Sequence, residues 1–169
     1  NKHQHTMNSI FAQLFLDIQQ RIAAECPDIK WIDQDLGQDQ SDMRPPVAYP
    51  AVLIDFPQAD FDCLGGTAQS AEFTVQLKLL LDSWASASSV SPNREEALQA
   101  YELEEKLISA LHGWHPDYCR KLIRSSVASE NRNDINLRIR TITFTTAAEF
   151  YPPAPDTATA TAQPEISIG

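Results

Sequence analysis

Positive charge is scarce in this chain. Thirteen Lys and Arg stand against 23 Asp and Glu, a formal net charge of −10 over 169 residues. Sequence-specific recognition of nucleic acid needs a basic footprint, so that class is excluded. A protein that must let DNA pass without adhering is not. Cysteine is scarce too: Cys26, Cys63 and Cys119 are odd in number and far apart. They give no disulfide framework and predict reduced thiols in a cytoplasmic protein. No apolar run approaches the ~20 residues of a membrane-spanning helix. No segment joins a charged start, an apolar middle and a small-residue cleavage site. Neither a membrane partner nor a secretory leader is expected. Gly65-Gly66 lacks the following Lys-Ser/Thr of a phosphate cradle, and no serine sits in a G-x-S-x-G elbow.

What the chain does have is amphipathic order. Met7, Ile10, Phe11, Leu14, Phe15, Ile18, Ile22 and Cys26 recur at three- and four-residue steps. They predict a first helix, capped by Thr6 or Asn8 and ended by Pro27. A second helix is predicted between Pro92 and Gly113. Its apolar half holds Ala97, Ala100, Tyr101, Leu103, Leu107, Ile108, Ala110, Leu111 and Trp114. From Ala71 to Asp82, odd positions are apolar and even ones polar, with Leu80 the exception, which predicts a half-buried antiparallel strand. Ile29 to Asp33 is a short strand. Val47 to Phe56 is apolar on both faces, as a strand covered on both sides would be. Pro50 cannot donate to a ladder, which implies an edge or a bulge there. Pro57 to Ser70 reads as a hairpin loop.

Arg120 to Ala128 and Asp134 to Thr145 read as the last two strands. Within the second, Ile135, Leu137 and Ile139 share one face, but Ile142 and Phe144 share the other. Either a bulge near Arg140 or a second burial surface, such as a neighbouring subunit, would account for that. The order α-β-β-β-α-β-β predicts an α+β fold: two helices packed on a mostly antiparallel sheet of four to five strands. Residues 1–150 form one domain, and the Pro/Thr/Ala-rich stretch 151–169 reads as a flexible tail.

Candidate chemistry is thin. His112, His115 and Cys119 form an H-x-x-H-x-x-x-C string. A structural zinc site takes four ligands, normally in two close pairs. Asp117 is the nearest addition and no second pair exists. These residues read as surface or helix-capping groups, with a small cytosolic metal-binding or enzymatic domain as the alternative. The run Asp33-x-Asp35-x-Gly37-x-Asp39 fails the calcium-loop pattern at its fifth, sixth and twelfth places. Glu96 belongs to the first turn of its helix. Glu104 falls inside the apolar half, where a carboxylate needs a partner or a raised pKa. Arg138, Arg140 or a subunit interface would supply one. No catalytic set and no cofactor are expected. Trp84, beside a serine-rich linker, is an interface candidate.

The order of elements resembles the tail completion or tail terminator proteins of long-tailed phages, lambda-type members included. The resemblance rests on the N-terminal amphipathic helix, an acidic loop leading into "RPPVAYPAVLIDF", the strand "AEFTVQLKLLLDSW", the helix "NREEALQAYELEEKLISALHGW" and the closing "RNDINLRIRTITFTT". It covers roughly Met7 to Phe150. It implies a small domain that assembles into a homo-oligomeric ring, usually a hexamer, capping the tail tube beside the head-tail connector. It also implies assembly in the host cytoplasm and a final place in the virion tail.

Charge segregation points the same way independently. Asp33, Asp35, Asp39, Asp42, Asp55, Asp60 and Asp62 are opposed in their region only by Arg44. Arg120, Lys121, Arg124, Arg132, Arg138 and Arg140 face only Glu130 and Asp134. Opposite regions on one chain suit a head-to-tail contact between copies. The competing reading is pairing within the monomer.

Overall fold

The structure, a computed structural model, describes residues 8–82 and 85–152. Trp84 and residues 153–169, the greater part of the tail, lie outside that range. The first helix, α1 (Ile10–Glu25), starts at Ser9, whose Oγ accepts from the Ala12 N–H at 3.3 Å. The serine takes the capping role expected of Thr6 or Asn8, and Thr6 and Met7 lie outside the described residues. Leu14, Ile18 and Ile22 are fully buried, and Pro27 follows the last turn.

Six strands follow: β1 (Trp31–Gln34), β2 (Ala51–Asp55), β3 (Ala59–Gly65), β4 (Ala68–Leu81), β5 (Ile123–Arg132) and β6 (Leu137–Phe150). The second helix, α2 (Arg94–Leu111), lies between β4 and β5. The sheet order is β1-β2-β4-β6-β5, with β3 on the same side of β4 as β2. Only the β1–β2 pair is parallel. The α+β class and antiparallel character agree with the sequence, but the sheet has one strand more. Residues 57–70 are not a plain loop: β3 pairs with the first half of β4 and turns back through Gly65 and Gly66, both at positive φ. Pro50 marks neither an edge nor a bulge. It precedes β2, an interior strand, and its carbonyl accepts from Lys30 N–H at 2.8 Å.

The sheet has two buried faces, and this resolves the face change in β6. Register with β4 runs unbroken from Leu81–Arg138 to Gln69–Phe150, so β6 has no bulge against β4; the slip is in β5, between Arg124 and Ser126. Along β6, even positions face the helices and odd positions face away. Phe144 and Ile142 join the core that α1 and α2 cover, together with Phe73, Val75, Leu77 and Leu79. Leu137 and Ile139 join a smaller core on the reverse face, with Ala51, Leu53 and Leu80. Leu80, the exception in the alternation, is thereby placed. The reverse core is covered by the chain's own segment 35–49, with Val47 and Tyr49 against it. On α2, Tyr101 is half exposed, while Glu104 is buried in its stead.

Candidate assembly surface

Several of the segregated charges are engaged inside the monomer, though among the described residues no ion pair joins the acidic region to the basic one. Lys78, on the reverse face of β4, lies 3.1 Å from Asp35 Oδ2 and 3.1 Å from Asp39 Oδ2. Asp39 is fully buried and also accepts from Gln40 Nε2 at 2.6 Å. Burial by itself would lower the Lys78 pKa, but its hydrogen bonds to Asp39 and Asp35 outweigh that and hold the ammonium above its ordinary range. Two acids of the calcium-like run, Asp35 and Asp39, thus do hold a cation, the chain's own lysine. Arg132 closes the same segment from the far strand. Its Nη1 donates to the Asp39 carbonyl at 2.8 Å and its Nη2 to that of Ser41 at 3.3 Å, while it pairs with Asp134 at 2.7 Å. Charge-assisted bonds of this kind are the stronger ones.

On the helix face, Arg140 makes a two-pronged pair with Glu104, both bonds 3.0 Å. This supplies the partner that a carboxylate on the apolar half of α2 needs. Arg140 and Arg138 also lie over the Tyr101 ring, at 5.4 and 5.8 Å from its centroid. Arg124 and Asp42 are exposed, and Asp33 is half-buried, its Oδ1 accepting from the Gln34 N–H at 2.8 Å. Of the residues singled out for an interface, Asp35, Asp39, Glu104, Arg132, Arg138 and Arg140 are thus engaged within the monomer. Lys78 was the missing member. Its one sequence signal was a lone cation among neutral and apolar residues in the second half of β4.

His112, His115 and Cys119 do separate work. His112 Nδ1 accepts from the Arg124 N–H at 3.1 Å, bonding β5 instead of the last carbonyls of α2. His115 is exposed and its Nδ1 lies 3.0 Å from the Pro116 carbonyl. Cys119 is buried opposite Ala148, and burial pushes its thiol up to about 12. Metal binding would need the thiolate. Among the described residues, no three His, Cys, Asp or Glu side chains are grouped to hold a metal ion. Nearby, the Tyr118 hydroxyl donates to Asp17, which fastens the α2–β5 connection to α1; burial, then that bond, raises the Tyr118 pKa.

The open surface lies at the two margins of the sheet. β5 is exposed on both faces from Ile123 to Asn131 and adds nothing to either core. Ile123 is 45% exposed and Val127 37%. β3 is exposed from Asp60 to Gly65. Between them, beyond the end of segment 35–49, the reverse face is a shallow cleft of about 490 Å³ floored by Thr74, Thr145 and Ala147. Among the described residues, no helix is long and apolar enough to cross a membrane.

No family model and no curated protein matches the chain. Its fold is shared with a chain in the solved structure of the virion of a native gene transfer agent particle. The two superpose with a TM-score of 0.52 at 13% sequence identity, over 85% of this chain and 99% of that one.

Proposed function

We propose that this chain is a structural subunit of a phage or phage-like virion, a tail terminator or tail completion protein. It acts by closing into a homo-oligomeric ring and contacting tail-tube and connector proteins, with assembly in the host cytoplasm. The observation that carries the reading is β5. From Ile123 to Asn131 this strand is exposed on both faces and adds no side chain to either core, and among the described residues one of its edges is unpaired; such an edge is a template for another chain. The fold it shares with a virion chain supports the same role. The net charge of −10 suits a ring past which DNA travels without adhering. The role needs complementary surfaces and no bond chemistry.

Negative-stain microscopy with light scattering tests it. Rings whose mass is a multiple of 18.9 kDa, less populated at high salt, are expected. A strict monomer at high concentration and low salt would count against the reading. So would stoichiometric zinc in the purified protein.

A further inference from the structure

The two margins of the sheet carry opposite charge at the same height. Pairing runs across one rung from Asp60 to Glu72, from Glu72 to Ala147, and from Ala147 to Arg120, whose N–H donates to the Ala147 carbonyl at 2.8 Å. Asp60 and Glu72 border one side of the reverse-face cleft, and Arg120 and Lys121 border the other. Three strand spacings, roughly 14 Å, separate the walls. Among the described residues, no ion pair joins them. Asp62 extends the acidic side along β3, and Arg124 extends the basic side into β5.

Strand direction decides how two copies can meet. β3 is antiparallel to β4, β4 to β6, and β6 to β5, so β3 and β5 run in opposite senses. β1 runs in the same sense as β3, because it is parallel to β2. A second copy rotated about an axis along the strands keeps both direction and height. Its acidic margin then arrives antiparallel to the basic margin of the first, with Asp60 level with Arg120. By the same registers, Trp31–Gln34 of β1 arrives level with Glu130–Val127 of β5.

We propose that the basic margin, Arg120, Lys121 and the start of β5, docks on the acidic β3 margin of a second copy of this chain. The inference rests on the ring reading above and names its contact. The contact joins unlike patches, so its repetition about a rotation that closes gives a ring. β3 and β5 each carry a bulge, at Cys63/Gly65 and Arg124/Ser126. Bulged, charged edges resist indiscriminate pairing, which leaves charge to select the partner edge.

Two measurements test it. Carbodiimide coupling of an equal mixture of unlabelled and ¹⁵N-labelled protein should link Lys121 to Asp60 or Asp62 across the labels. Sedimentation should show Arg120→Glu with Lys121→Glu weakening association at least tenfold, Asp60→Lys with Asp62→Lys doing the same, and the fourfold variant restoring it. All four sites are exposed in the monomer, so unfolding midpoints should stay near that of the parent chain and certify folding. Oligomers that tolerate either reversal, or that link only elsewhere, overturn this contact and leave the ring standing. A monomer under every condition sinks both.

Discussion

The two faces of the sheet are covered by different physics. The helix face is sealed by α1 and α2 over a continuous aliphatic and aromatic core, and its one buried carboxylate is matched by Arg140. The reverse face has five buried apolar residues, a covering segment held by Lys78 and Arg132, and a bare end. The helix side is held mainly by area removed from water, which is non-directional and tolerant. The reverse side is held by a few charged bonds, whose loss strands a buried charge. The first therefore builds the domain, and the second fixes where its cover lies and where bare sheet begins.

Breaking the helix face should cost most. Phe144→Ala empties a fully buried site between the helices and the central strands, and chemical denaturation should show a loss of about 3–5 kcal/mol. Next comes the reverse clasp. Lys78→Met leaves Asp35 and Asp39 buried without their cation and should cost about 2–4 kcal/mol, less than for a dry pair because the lysine keeps some solvent contact. Adding Asp35→Asn and Asp39→Asn should recover much of it. Protease cleavage within 35–49 should rise in the single variant and fall back in the triple; equal cleavage in all three would show that charge does not hold the segment.

A smaller effect is expected at Glu104. Glu104→Ala removes both bonds to Arg140, which retains the Tyr101 ring and partial solvent, so about 1–3 kcal/mol should be lost. The smallest is a pH effect. The folded chain holds the Cys119 proton up to about 12, against an ordinary 9.0, so the unfolded form releases it first. The Cys119 contribution should be constant below pH 9 and be lost as pH rises towards 12. Tyr118 and Lys78, both raised, add losses of the same sign at higher pH. Cys26, also raised by burial from 9.0, contributes in the same sense, so in Cys119→Ala the loss between pH 9 and 12 should become smaller without vanishing; an undiminished loss would refute the assignment.

Legibility followed periodicity. α1, α2 and β4 were readable because burial on one side imposes a 3.6- or 2-residue repeat. β3 was not. Asp60 and Asp62 alternate with Phe61 and Cys63 on an exposed margin, and so short a strand ahead of a double glycine looks like a turn. The change of face in β6 was visible, but its cause was not: two half-length cores on opposite faces look locally like a slip in register. The Glu104–Arg140 pair was among the partners foreseen, because a carboxylate on an apolar stripe demands one. The Lys78 clasp was not, because a lysine on the polar face of a strand usually meets water.

By itself, the sequence determined the α+β class, the two amphipathic helices, the long alternating strand and the segregation of charge. Those follow from local pattern and composition, which need no knowledge of what comes to rest beside what. Tertiary structure alone decided which charges are spent. Asp39 and Lys78 are 39 residues apart, Glu104 and Arg140 36, and Arg132 reaches back 93 to Asp39. Only chain topology brings such groups within hydrogen-bonding distance. What it leaves over, the acidic margin of β3 and the basic approach to β5, is the surface with charge still to satisfy.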